Sequence, residues 1–310
     1  MSTPALAPPV HGRRVTLPSG DGVLAGRFLL RERLGRGSVA EVFRAVDMNG
    51  GPDVAVKMAV QNSEKQHGRI RNEAAVLAAL HYPSIIRFIA QGVMPSGGPR
   101  GGRPFVVEEL ALGTSLAEAV RSNSSQPDEL AGWAVGLFGA LAHLHGRGLV
   151  HRDVKPANLM LSGLRRSPVR IIDFGIAAAA GSAPEPGMSS GTVHYMSPEQ
   201  ASGGETGPSW DVYSMGLVLL ELLTGTKAFP GTAIESLVAR TLRSPHVPDS
   251  LPPGWQAFLR SLTAMDSGER PTASEAARLA SRLLPKPAEE GISPCRRMAV
   301  FPARRIRQLV

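Results

Sequence analysis

A change of texture near Leu110 governs what this 310-residue chain can become. Upstream of it, segments 28–34, 39–46 and 53–60 are short, rich in β-branched and apolar residues, and separated by Gly, Pro and Asn. That is the pattern of antiparallel strands. Segment 64–80 switches to helical spacing, with Ile70, Ala74, Leu77 and Ala78 on one stripe. Segments 85–90 and 104–109 read as two more strands, and the glycine-rich tract 95–102 between them is expected to be a mobile hairpin connection. Downstream, helical spacing predominates over 116–122, 128–145, 210–224, 233–242, 255–264 and 273–284. Pro127 ahead of Asp128 and Glu129 suits a helix start, because proline lacks the donor that position leaves unpaired and carboxylates favour the positive helix end. Strands first and helices after imply an α+β protein of two lobes.

Composition narrows the class. With 43% hydrophobic and 19% charged residues, wholesale disorder is excluded. The single cysteine, Cys295, cannot close a disulfide within the chain, which fits a reducing compartment. The longest uncharged stretch, 130–146, is interrupted by glycines and histidines and falls short of the ~20 apolar residues a bilayer needs. The Pro- and Ala-rich amino terminus has no basic region ahead of an apolar core, so no signal peptide and a cytoplasmic location are expected. The net charge is +8. Much of it sits at the carboxyl end, where Lys286, Arg296, Arg297, Arg304, Arg305 and Arg307 face only Glu289 and Glu290. Such a tail could meet an acidic partner or anionic surface, or simply be a solvated terminus. The body is only mildly basic, and nucleic acid is not an expected partner.

Chemistry-bearing residues gather in four stretches. Gly35 and Gly37 join two strand candidates, where a backbone turn without side chains can approach phosphate oxygens. Ala40 stands where a full glycine-rich loop has its third glycine. Lys57 lies on strand 53–60, and Glu73 lies in helix 64–80; a pair bridging them would fix an ammonium over an anionic ligand. The decisive stretch is His151-Arg152-Asp153-Val154-Lys155-Pro156-Ala157-Asn158, followed by Ile171-Ile172-Asp173-Phe174-Gly175. Phosphoryl transfer needs a carboxylate for the hydroxyl proton, a cation near the moving phosphate, and oxygen ligands for Mg²⁺. Asp153, Lys155, Asn158 and Asp173 supply these groups.

In this set the chain resembles the eukaryotic-type protein kinase family, in its bacterial serine/threonine branch. Three later segments extend the resemblance. Residues 191–199 resemble the end of an activation segment, with Ser197 in place of an alanine. Residues 211–216 resemble the start of the helix that anchors the larger lobe. Glu269-Arg270-Pro271 resembles the late arginine motif, whose Arg270 would pair with Glu199. The resemblance runs over 28–284. It implies a bilobal fold: a small antiparallel sheet with one helix (28–109), a hinge (110–113) and a larger, mainly helical lobe (114–284). A flexible extension (1–27) and the basic tail (285–310) flank it.

The resemblance also implies roles. Val42, Ala55 and Met160 would sandwich the adenine of ATP, and the backbone of Glu109 and Ala111 would bond its edge. Lys57, held by Glu73, would grip the α- and β-phosphates under Gly35 and Gly37. Asp173 and Asn158 would bind Mg²⁺, with Mn²⁺ a second candidate. Asp153 would orient the substrate hydroxyl and Lys155 would steady the γ-phosphate. Thr192, reaching both, fits a serine/threonine kinase acting on proteins. Two other readings stand beside this one: a small-molecule phosphotransferase, and a catalytically weak pseudokinase serving as a nucleotide-binding scaffold. Arg152 and Arg69 would form a clamp for a phosphate on Ser189 or Ser190 of the activation segment. Many relatives carry a membrane span and an external sensor after the kinase domain; none is seen here, so the signal is expected through another molecule.

One position departs from the family. Glu108 falls at the back of the adenine pocket, where a carboxylate needs a partner, and Lys57 is the nearest cation. A one-residue register slip across 95–102 would instead turn it away.

Overall fold

The computed structural model describes residues 22–122, 127–162, 168–183 and 193–285. Six strands form one antiparallel sheet: β1 (Val23–Leu24), β2 (Phe28–Arg36), β3 (Ala40–Asp47), β4 (Val54–Ala59), β5 (Phe88–Val93) and β6 (Pro104–Glu109). Their spatial order is β1-β2-β3-β4-β6-β5. Alternation along the strands buries Phe28, Leu30, Phe43, Ala45, Val56, Met58, Phe105 and Val107 in a core of their own. Helix α1 (Glu64–Ala78) packs across the sheet, started by Ser63, whose hydroxyl accepts from the Gln66 N–H.

The helical lobe carries α2 (Leu116–Ser122), α3 (Pro127–His145), α4 (Pro198–Ala201), α5 (Pro208–Thr224), α6 (Ala233–Leu242), α7 (Pro253–Leu262) and α8 (Ala273–Ser281). Helix α5 is the axis of the lobe and is buried continuously from Trp210 to Leu222. It ends at Gly225, whose φ of 70° supplies the left-handed turn that most side chains resist. Reciprocal capping boxes, Thr232 with Glu235 and Thr272 with Glu275, start α6 and α8. Short ladders line the face toward the sheet: β7 (Gly113–Ser115), β9 (Leu159–Ser162) and β10 (Val169–Ile171) form one, and β8 (Leu149–Val150) with β11 (Ala178–Ala179) the other.

The antiparallel sheet lobe with one helix and the mainly helical lobe agree with the expected fold class. Two local expectations are corrected. The extension expected over 1–27 gives way by residue 22: Val23 and Leu24 pair with Leu29 and Phe28, and Leu24 is fully buried. Arg27 then clips this entry to β3 through Asp47, with Nε to Oδ1 at 2.8 Å and Nη2 to Oδ2 at 2.6 Å. The strand expected over 85–90 begins at Phe88 instead, because Ile85 and Ile86 are buried in the core of the helical lobe. There Ile171 N–H donates to Ser84 O and Ile86 N–H to Ile171 O, joining the lobes through backbone. The 95–102 tract is the hairpin connection expected between β5 and β6. It is closed by Gly102 N–H to Met94 O and held by Arg103, which donates to Val60 O and Pro99 O.

Candidate active site

A cavity of about 770 Å³ opens where the lobes meet. The sheet wall carries Gly35, Gly37, Val42, Ala55 and Lys57, and helix α1 brings Glu73. The outer edge is Leu110 and Ala111, and the helical lobe supplies Asp153, Lys155, Asn158, Met160, Ile172 and Asp173. A Cβ built on Gly35 meets nothing within 4 Å, so glycine there answers no packing demand and leaves the cavity mouth open. Ala40 is buried against Ala59 and Ile70, so its methyl ties the end of the glycine turn to α1.

Across the cavity, Lys57 Nζ lies 2.7 Å from Glu73 Oε1 and 2.6 Å from Asp173 Oδ1. Glu73 Oε1 also accepts from the Phe174 N–H at 3.2 Å, and Asn72 donates to Ala177 O at 2.9 Å. Two neighbouring residues of α1 therefore hold the 173–177 segment. Burial opposes charge on Lys57, but Asp173 and Glu73 outweigh it and hold the ammonium protonated, well above its ordinary range. Burial likewise opposes charge on Asp173, and the Lys57 ammonium overrides it, holding that carboxyl well below the usual range. Asp173 has a φ of 63°, a left-handed backbone uncommon outside glycine, which aspartate tolerates better than most side chains and which is often retained at working sites.

Asp153 follows β8 in a loop whose backbone is pinned from behind. Asp211, near the start of α5, accepts from His151 N–H at 2.8 Å and Arg152 N–H at 2.9 Å, and His145 Nε2 lies 2.8 Å from its Oδ2. Arg152 has a φ of 66°, the left-handed turn that points Asp153 back toward the cavity. Asp153 Oδ2 receives Lys155 Nζ at 2.8 Å and Asn158 Nδ2 at 3.0 Å. Asn158 Nδ2 also donates to Asp153 O at 2.9 Å, so its amide hydrogens are committed to Asp153 and its oxygen is the group available to a cation.

Glu109 is held at the hinge by its side chain: Arg170 forms an ion pair with it and Arg87 lies 3.7 Å away. Its N–H donates to Arg87 O at 2.9 Å. Sequence reading missed both arginines, since nothing local links Arg87 or Arg170 to Glu109. Glu108 faces inward. It stands directly opposite Ala55 in the β4–β6 pairing, which removes the register slip. Lys57, the nearest cation expected to partner it, is bonded to Glu73 and Asp173 instead, and Glu108 Oε2 is buried without a hydrogen-bond partner. Burial and then the Glu73 charge push the Glu108 carboxyl up to about 8.

Arg69 and Arg152 do converge: with Lys65 they line a second cavity beside α1, of about 380 Å³. Arg152 Nε also donates to Ile176 O at 2.6 Å. Thr192, Ser189 and Ser190 lie outside the described residues. Arg270 grips Glu199 as the late arginine motif leads one to expect. No helix among the described residues is long and apolar enough to cross a membrane.

Comparison with known proteins agrees with this geometry. The family model described as protein kinase domain matches residues 28–280. The chain is 34% identical over 268 residues to the "Probable serine/threonine-protein kinase PknB" of Bifidobacterium longum, covering 81% of this chain and 38% of that protein. It is 37% identical over 235 residues to the serine/threonine-protein kinase PknB of Mycobacterium leprae, covering 73% of this chain and 37% of that protein. It is 32% identical over 264 residues to the serine/threonine-protein kinase PknL of Mycobacterium tuberculosis, covering 82% of this chain and 64% of that protein. The chain thus spans little more than a third of the two PknB relatives and under two thirds of PknL. The match of the family model over most of the chain, on a cavity built from the same motifs, makes this chain a member of the protein kinase family.

Proposed function

We propose that this chain is an ATP-dependent serine/threonine protein kinase, transferring the terminal phosphoryl group of ATP to Ser or Thr hydroxyls of protein substrates. The observation that carries the proposal is the contact chain across the cavity, in which one ammonium, Lys57, joins Glu73 of the sheet lobe to Asp173 of the helical lobe. The serine/threonine class rests on the names of the relatives.

In this reading the purine enters between Val42 and Ala55 on one side and Met160 on the other, its edge along the backbone of Glu109 and Ala111. Gly35 and Gly37 cover the phosphates, and Lys57 holds the α- and β-phosphates at a point fixed by Glu73. The ionised Asp173 and the amide oxygen of Asn158 are hard oxygen donors that suit Mg²⁺ or Mn²⁺. When bound, the ion supplies neutralisation of the phosphate charge. Asp153 orients the substrate hydroxyl and receives its proton, while Lys155, bonded to the same carboxylate, steadies the γ-phosphate with help from Thr192.

A phosphate on Ser189 or Ser190 would find three cations around the second cavity, Lys65, Arg69 and Arg152. Docking there would order the activation segment against α1 and raise activity. The lone cysteine suits a cytoplasmic location, and the basic tail an acidic partner that brings the activating signal.

Purified chain incubated with Mg·ATP and a generic basic protein tests the activity. Label should appear on phosphoserine or phosphothreonine and vanish in Asp153→Asn. Nucleotide binding without transfer, even after treatment with an activating kinase, overturns the proposal.

A further inference from the structure

Glu108 is the one acidic side chain of the inner cavity that the proposed phosphoryl transfer does not employ. Residues directly opposite in an antiparallel pair share a face. Glu108 therefore stands beside Ala55, on the face that also carries Lys57 two residues along β4. The residue is 8% exposed and lines the cavity, and its Oε2 is buried with no hydrogen-bond partner. The ionisable groups around it are Lys57 on β4, Glu73 on α1 and Asp173 after β10. Strand β5, packed against β6 on the other side, carries no ionisable residue. Lys57 is bonded to Glu73 and Asp173, so the protein itself offers Glu108 Oε2 no donor.

A buried carboxyl that lines a cavity and lacks a partner is satisfied when a rotation about its terminal bond turns an oxygen to a donor that a ligand brings. The cavity has the shape to do so. Val42 and Ala55 form one wall and Met160 and Ile172 the other, while Leu110 and Ala111 bound the outer edge. A flat heterocycle between those walls runs its edge along 108–111, and its inner corner comes to Glu108. Resting on the nucleotide reading above, we propose that Glu108 is a specificity-determining residue that accepts a hydrogen bond from the exocyclic amino group of a 6-aminopurine. The carboxyl has an acceptor oxygen in either protonation state. The interaction is additional to any bond between the amino group and the hinge backbone, and it belongs to this chain's own glutamate.

The test is a thermodynamic cycle between the ligand's amino group and residue 108. The full chain and its Glu108→Met and Glu108→Gln variants are titrated calorimetrically with ADP and with the diphosphate of the purine riboside that bears hydrogen at the 6-position. In the wild type, loss of the amino group should weaken binding about ten-fold more than it does in Glu108→Met. Glu108→Gln, whose amide oxygen accepts the same bond, should keep most of the wild-type discrimination. Should Glu108→Met not fold, Glu108→Leu completes the same cycle. Equal penalties in the wild type and the apolar variant overturn the inference while leaving the nucleotide reading intact. Failure of the folded wild type to bind either nucleotide overturns both.

Discussion

Arg270 holds Glu199 with both arms of its guanidinium, Nη1 to Oε1 at 2.6 Å and Nη2 to Oε2 at 2.9 Å. Its Nε reaches Ala264 O at 2.8 Å, Nη1 and Nη2 also donate to Ser209 O and Met265 O, and the guanidinium carbon lies 4.7 Å from the centroid of the Tyr213 ring. The arginine side chain is fully buried, so the pair sits largely out of water and links α4 to the turn before α8. Removing one partner of such a pair strands the other. Arg270→Met should lower unfolding free energy by about 3–5 kcal/mol in urea titrations. Adding Glu199→Gln should cost less than its effect alone, and strict additivity would contradict the coupling.

Lys57 stands among three acidic side chains. Glu73, Glu108 and Asp173 all bear on it, and Glu73 is 0% exposed. Lys57→Met should reduce phosphoryl transfer by at least about 100-fold, the order expected when one charged stabiliser of the phosphate is removed. The same variant should lose thermal stability at neutral pH and recover part of it in mild acid, where buried carboxyls take up protons. A melting difference from wild type that does not shrink on acidification would count against a shielding role for Lys57.

Asp153→Asn keeps the size of the side chain while removing the carboxylate proposed as proton acceptor. Transfer should fall by about 10²–10⁴ in kcat, with ADP affinity in calorimetry within about two-fold of wild type. A parallel loss of affinity would mean that Asp153 serves binding rather than the chemical step.

Glu108 makes stability depend on pH with a definite sign. Its carboxyl is pushed up to about 8 in the folded chain, while an unfolded glutamate ionises at its ordinary value of about 4.3. Between those values the folded state keeps a proton that the unfolded state releases. This group therefore lowers wild-type stability as pH rises from about 4.3 to 8. Glu108→Gln does not titrate. Its advantage over wild type in urea midpoints should widen across that window, by no more than about 1.4 kcal/mol per pH unit, and level off above it. A difference independent of pH would contradict the shift.

What the sequence made legible was whatever depends on local pattern. Strand 104–109 and helices 116–122 and 233–242 coincide with the observed elements because apolar periodicity and flanking turn residues both mark them. The Glu199–Arg270 contact was legible through motif order alone. Strand β1, by contrast, is two residues long, too short for a period to register, and its place is set by pairing with β2. Ile85 and Ile86 looked like strand by composition, yet the backbone bonds to Ser84 and Ile171 draw them toward the helical lobe. Glu108 needed the register of β6 against β4, and Glu109 needed arginines from 87 and 170 to meet at one point. Such contacts belong to tertiary structure and leave no trace in spacing.

Asp211 has a consequence beyond its own contacts. Because it clamps the His151 and Arg152 amides from the lobe's innermost helix, the Asp153 carboxylate inherits the stiffness of the interior while lining the cleft between the lobes. On the proposed function, any movement of the sheet lobe about a nucleotide would leave the aim of Asp153 undisturbed, because Asp211, His151 and Arg152 all belong to the helical lobe. Grip on the nucleotide and aim at the hydroxyl would thereby fall to separate halves of the molecule.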